Sequence, residues 1–238
     1  MTARNTTLTP RAENTRNSRT IDFPKQFNLS EIKQHFTDSM NEVKEQFNVA
    51  DNLNEDGNII ACKMVWRSQI VLSEGLLDFY IHEMSKYCIV RMFLGSWNKS
   101  EQYNNFLIPM SKIEDITQSE ETADWLFEYL NHRFSHEVFL SPDKMKDQLN
   151  LIGIEFGKVM VKAFPKESEE ESIKTGKKTI SNLFKRRNEI AHQNDRCHFD
   201  AIQADITKDY VEDFIMKIEL IVDSIHNIAE EKECPTDI

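Results

Sequence analysis

Within the stretch from Arg186 to Asp195, RRNEIAHQND, two side chains have complementary chemistry for a phosphodiester. A guanidinium is a planar fork of donors suited to phosphoryl oxygens. An imidazole accepts and returns a proton near neutral pH. Arg187 and His192 supply one of each, and Asn188 stands beside the arginine, able to orient either. Such a set can cleave RNA without a metal. His192 takes the proton from a ribose 2′-hydroxyl, whose oxygen attacks the neighbouring phosphorus. Arg187 offsets the charge that develops on the phosphoryl oxygens. The products would be a 2′,3′-cyclic phosphate and a 5′-hydroxyl, and DNA, lacking the 2′-hydroxyl, would stay whole.

The spacing sets a geometric condition. Five positions on a helix turn through about 500°, about 140° beyond a full turn, so the two side chains do not quite share a face. They converge if the helix loosens at its end, or if two copies of the segment meet across a dimer axis. Spacing alone carries little weight, because the chain has seven histidines and Arg and His also suit a helix C-terminus electrostatically.

Charge points the same way. The chain of 238 residues has a formal net charge of −11, which argues against a general nucleic-acid coat. Yet Lys174, Lys177, Lys178, Lys185, Arg186 and Arg187 cluster beside the motif. An acidic body with one basic patch suits a focused phosphate site, with Lys177, Lys178, Lys185 and Arg186 as substrate-binding candidates. A solvated helix face would look similar.

The elements that position the motif read as helices. Six Gly and six Pro are few for this length, and no strand alternation is sustained. Leu29, Ile32, Phe36, Met40, Val43 and Phe47 form one amphipathic face, with Asn28 or Ser30 as cap. Residues 59–94 are apolar around more than half their circumference and predict a central helix. Glu74, Asp78, His82 and Glu83 lie within it, and Glu74 or Asp78 could pair with Arg187 or orient His192. The connector after residue 94 predicts a short helix near its end, and Ser119, with Glu120 and Glu121, predicts the start of a helix running to Phe139. Ser141 and Pro142 predict another, running to Phe164. Residues 165–176 read as a charged loop. The motif helix is then expected over residues 177–192, with Ile180, Leu183, Phe184, Ile190 and Ala191 inward, and a last helix over residues 206–232.

The segment RNEIAH at a helix end, preceded by a long apolar helix and followed by a polar loop and a final long helix, resembles the HEPN superfamily. Its ribonuclease members carry Arg-x(4–6)-His, typically with Asn, Asp or His directly after the Arg, and Arg187, Asn188 and His192 match that pattern. SEGLLDFYIHEM, FLIPMSKIED and the placing of RNEIAH are most similar to the RiboL-PSP-HEPN subgroup, over roughly residues 60–230. The resemblance implies an all-α, HEPN-like helical bundle with an extra N-terminal amphipathic helix. It also implies a homodimer with a composite site at two facing motif helices. RNA would be the substrate, no cofactor or metal would be needed, and the setting would be phage defence, a toxin system or stress, with an antitoxin or defence-system partner. One departure stands out. Toxins of this superfamily paired with a nucleotidyltransferase usually carry Tyr two residues after the His, and here Asn194 stands there.

The organisation that follows is a disordered tail over residues 1–20, a helical extension over 21–55 and the HEPN-like domain over 56–235. Cys62, Cys88, Cys197 and Cys234 share no CxxC spacing and read as reduced thiols. No apolar run reaches the roughly 18 residues of a membrane span, and the start of the chain has no signal-like apolar core, so the expected location is cytoplasmic.

Two further readings stay open. A non-catalytic module could sense RNA or nucleotide, or hold a partner protein. A metal-dependent hydrolase could use Glu128, His132 and His136, which fall at steps of four. Cys197 and His198 alone do not close a metal site.

Overall fold

A long segment that is apolar around more than half its circumference must be covered on most sides, and the other helices do so here. The computed structural model describes residues 25–112 and 123–233. The segment is α2, Ile59–Phe93, opened by Asn58, whose side chain accepts from the Ala61 N–H. It buries Ile70, Leu77, Tyr80, Ile81, Met84, Cys88, Ile89 and Met92.

Two long amphipathic helices lie along it. The first, α1 (Leu29–Glu55), starts at a capping box in which the Glu31 N–H donates to Asn28 Oδ1 and the Asn28 N–H to Glu31 Oε2, both at 2.9 Å. Its expected stripe of Leu29, Ile32, Phe36, Met40 and Val43 is buried, and Phe47 packs at its margin. These residues join the same continuous core as α2, so residue 55 marks a turn and not a break in packing.

The smaller elements follow: α3 (Glu101–Asn104), α4 (Asp124–Phe134), α5 (Pro142–Leu151) and α6 (Phe156–Ala163). The motif helix α7 is Glu169–Gln193, and α8 is Lys208–Glu233. The α8 stripe is buried as expected, at Val211, Phe214, Ile215, Ile218, Ile221, Val222, Ile225 and Ile228. Among the described residues there is no strand, only an isolated bridge between Arg196 and Gln203, and the fold is the all-α bundle expected. No helix among them is long and apolar enough to cross a membrane. Cys62 and Cys88 are buried and Cys197 exposed, all three free.

Four expectations differ from what the chain does. The helix expected over residues 142–164 is two. Gly153, in the left-handed region at φ +73°, turns the chain, and Asn150 Oδ1 accepts from the Phe156 N–H at 3.2 Å to start α6. The charged loop at 165–176 is mostly helix: Ser168 caps the Glu171 N–H at 3.2 Å, and Glu169, Glu170 and Glu171 sit at the favourable N-terminal end. Glu and Lys are good helix formers, so charge here marked a wet surface and not a break. The α4 helix stops at Phe134, because the chain turns back to bury Phe139 and to place its N–H 2.9 Å from Asp78 Oδ1. Ala191, expected inward, is exposed. The tail over 1–20, the cap at Ser119 with Glu120 and Glu121, most of the connector's short helix, and Cys234 lie outside the described residues.

The motif helix rests on α6 at its one buried glycine. A Cβ on Gly176 would lie 3.0 Å from the Cβ of the fully buried Met160 and closer still to its sulfur. Gly176→Val should therefore overpack this contact and cost about 1–3 kcal/mol. A melting temperature equal to wild type, measured by calorimetry, would contradict this packing.

Candidate functional site

The end of α7 is regular. Asn194 closes the helix in the left-handed region at φ 52°, its N–H reaching the Glu189 carbonyl. Asp195 follows at φ 59° with its own N–H on the same carbonyl, at 2.9 Å. Asn is among the few residues that adopt this conformation readily. A bulky Tyr there would be strained, which gives a physical reason for Asn194 at the position where some superfamily toxins carry Tyr. Because the helix is intact through Gln193, it does not loosen before His192, and one of the two routes to convergence is closed. Arg187 and His192 of one chain stay on different faces.

Arg187 is turned onto α2. Its side chain is 27% exposed, and its Nε lies 4.0 Å from Glu74 Oε2. Its Nη1 donates to Asn188 Oδ1 at 3.0 Å, so Asn188 holds one edge of the fork. His192 is exposed on the last turn. The structure thus separates a half-buried, oriented guanidinium from a free imidazole.

Glu74 is the unusual acid of the site. It is 1% exposed, and neither its Oε2 nor Arg187 Nε finds a hydrogen-bond partner among the described residues. Burial raises its carboxyl to about 8, against the opposing pull of Arg187. Near neutral pH the carboxyl is therefore protonated, and the guanidinium beside it keeps its charge for an incoming anion. Asp78 does a different job. It accepts from the Phe139 N–H and lies 3.7 Å from His82 Nε2, and His82 in turn donates to the Glu137 carbonyl at 3.2 Å. Burial raises Asp78 and lowers His82, moving both toward their neutral forms. Of the two orienting acids expected from sequence, Glu74 touches Arg187, while Asp78 ties α2 to the segment after α4.

The basic patch divides in the same way. Lys177, Lys178 and Lys185 are exposed, Lys185 facing Glu189 at 3.7 Å in a solvent-screened pair. Arg186 does not stand free for substrate. It grips Asp195 with both arms, Nη2 to Oδ2 at 2.9 Å, and its guanidinium lies over the Tyr210 ring on α8. From the other side Arg67 of α2 donates through Nε to Asp195 Oδ2 at 2.7 Å and through Nη2 to the Ala204 carbonyl at 2.6 Å. Sequence reasoning missed Asp195 and Arg67. The available signal was Arg67 itself, an arginine among the apolar residues of α2, which demands an anion when buried.

The metal-ligand row fails geometrically. His136 lies beyond the end of α4, and among the described residues no group of three or more His, Cys, Asp or Glu could hold a metal ion.

An all-helical bundle with an Arg-Asn-x₃-His motif closing its penultimate long helix defines a HEPN-type domain. A family model described as RiboL-PSP-HEPN matches residues 35–231, and the chain belongs to that family. The match begins inside α1, so it includes most of the helix that the sequence sets apart as an extension. No curated protein and no solved structure matches the chain. Domains of this family are generally ribonuclease-like, commonly bind RNA and dimerise.

The protonated Glu74 makes a signed prediction. Its folded pKa of about 8 lies above the ordinary 4.5, so the stability of wild type relative to an uncharged isostere is retained below 4.5. It is lost as pH rises through that window, at up to about 1.4 kcal/mol per pH unit, and levels off above 8. Glu74→Gln should match wild type near pH 4.5 and melt progressively higher than it toward pH 8.5. A difference in melting temperature independent of pH would refute the assignment.

Proposed function

We propose that the protein is a metal-independent endoribonuclease of HEPN type, acting as a homodimer. The observation that carries this reading is the end of α7, where a half-buried Arg187, steered by Asn188 and set against the buried Glu74, precedes an exposed His192 on an unbroken helix. His192 takes the proton of the 2′-hydroxyl, and Arg187 meets the phosphoryl oxygens as charge builds on them. Asn188 keeps the guanidinium in register. Lys177, Lys178 and Lys185 line the approach for the phosphate backbone, a smaller set than the sequence offers because Arg186 serves Asp195.

The intact helix supports the dimer. If the two side chains of one chain diverge, a site that uses both draws them from two chains. Uncovered apolar side chains on α2 offer a second copy a place to pack: Met64, Leu72 and Phe79 are 51%, 53% and 44% exposed, a strip at helical spacing around an open Gly75. Such an enzyme, left unrestrained, would damage its own cell. The family therefore suggests a toxin, antiviral-defence or stress role in the cytoplasm, restrained by an antitoxin or another defence-system protein.

The test is complementation. Wild type should leave cyclic-phosphate ends on RNA in the presence of chelator, while Arg187→Ala and His192→Ala are each inactive at near-wild-type melting temperature. Mixed and re-equilibrated, the two dead variants should recover about a quarter of wild-type activity, since half the dimers are mixed and each holds one intact pair. Activity in either single variant would overturn the residue roles. Failure of the mixture would overturn the composite site. RNA binding by wild type with no cyclic-phosphate product would favour a sensing or partner-binding module instead.

A further inference from the structure

The loop that follows the motif helix displays an aromatic ring that nothing in the described structure covers. Phe199 is 95% exposed, and Ile202 beside it 66%. Uncovered apolar side chains are ordinary on floppy segments, but this loop is tied down. Arg196 bridges to Gln203, the Cys197 N–H donates to the Ile202 carbonyl at 3.0 Å, and the Ala201 N–H to the Cys197 carbonyl at 2.9 Å. Arg196 Nη1 reaches the Ala201 carbonyl at 2.7 Å, and Gln203 Nε2 the Asn194 carbonyl at 3.1 Å. At the root, the buried Asp195 is clamped by Arg67 and Arg186, and its carbonyl accepts from the Ala204 N–H at 2.8 Å.

This root begins three residues after His192. Each residue of chain spans at most about 3.6 Å, so the tip of so short a loop stays within a few nucleotides of the imidazole. The ring's neighbours, Arg196, His198 and Asp200, are polar. Two apolar side chains among polar ones do not amount to a protein-docking face, which needs about 800 Å² on each partner. A single ring held out beside a phosphate site suits a flat partner: unstacked bases of single-stranded nucleic acid bind aromatic side chains in this way.

We infer that Phe199 is a stacking platform for an unpaired base of the RNA strand, presented at a fixed distance from His192 by the Asp195-anchored loop. The inference rests on the ribonuclease reading for where the strand lies. It makes Phe199 a substrate-binding residue outside the Arg-His motif and selects single-stranded over duplex RNA, whose bases are already stacked.

The test measures binding in full-length protein carrying His192→Ala, so that substrate is not consumed. The probe is a short, end-labelled, single-stranded oligoribonucleotide of mixed sequence, read by fluorescence anisotropy. Adding Phe199→Ala should weaken affinity on the order of tenfold, and Phe199→Trp should restore it. An oligomer of the same length without bases should bind both proteins equally, and sedimentation should show the same oligomeric state for each. Unchanged affinity in the alanine variant, equal loss on the baseless oligomer, or a shift in oligomeric state (a contact between copies) would each overturn the proposal. The two readings fail separately. Cleavage by wild type with no dependence of binding on Phe199 sinks the platform and spares the ribonuclease. Phe199-dependent binding without cyclic-phosphate products sinks the ribonuclease and spares the platform.

Discussion

The carboxylate of Asp195, shut away from water between the guanidiniums of Arg67 and Arg186, is the constraint on which the rest of the site depends. Ion pairs of this kind contribute little net stability, because desolvation consumes most of the attraction. What they fix is position. Arg67 belongs to α2, Arg186 to α7, and Asp195 to the turn that leaves α7, so the three charges lock the central helix, the motif helix and the following loop into one arrangement. Arg67 also holds the Ala204 carbonyl, which pins the returning limb of the loop. The consequence reaches both ends of the motif: Arg187 lies against Glu74, and His192 is exposed on a helix that stays regular through Gln193.

A second choice of the fold is to bury an acid, Glu74, beside Arg187 without letting the two form a close pair. A carboxylate in hydrogen-bonding contact would hold Arg187 firmly but cancel its charge. With burial keeping Glu74 protonated, the site gains a shaped wall and keeps the cation. The unpartnered atoms on both sides, Glu74 Oε2 and Arg187 Nε, are the structural cost of that compromise, and such costs concentrate where a protein binds something else.

Much of the architecture was legible because it rests on periodicity. The stripes of α1 and α8 and the broadly apolar α2 follow directly from where the large side chains fall. The RNEIAH motif was legible because its residue types are chemically distinctive, and the family match agrees with the resemblance it suggested. What stayed hidden depends on contacts distant in sequence. Nothing local to Asp195 tells that Arg67, 128 positions earlier, will share it, so Arg186 read as a substrate contact when it is part of a buried network. Nothing in PKESEEESIKTG separates a solvated loop from the solvated start of a helix. The break at Gly153 was visible as a glycine, but only the packing of Ile152 and Ile154 shows that the chain turns there. The role of Glu74 was half legible: its place in an apolar helix marked it, while its degree of burial did not show.

The central claim is that a 2′-oxygen, released by His192, is the nucleophile. The most direct measurement maps the preferred cleavage site in a short RNA and then replaces only the ribose 5′ to that linkage with 2′-deoxyribose. The account predicts that cutting stops at that linkage alone, with and without chelator, while neighbouring sites are cut as before. Continued cutting at the deoxy position would contradict it.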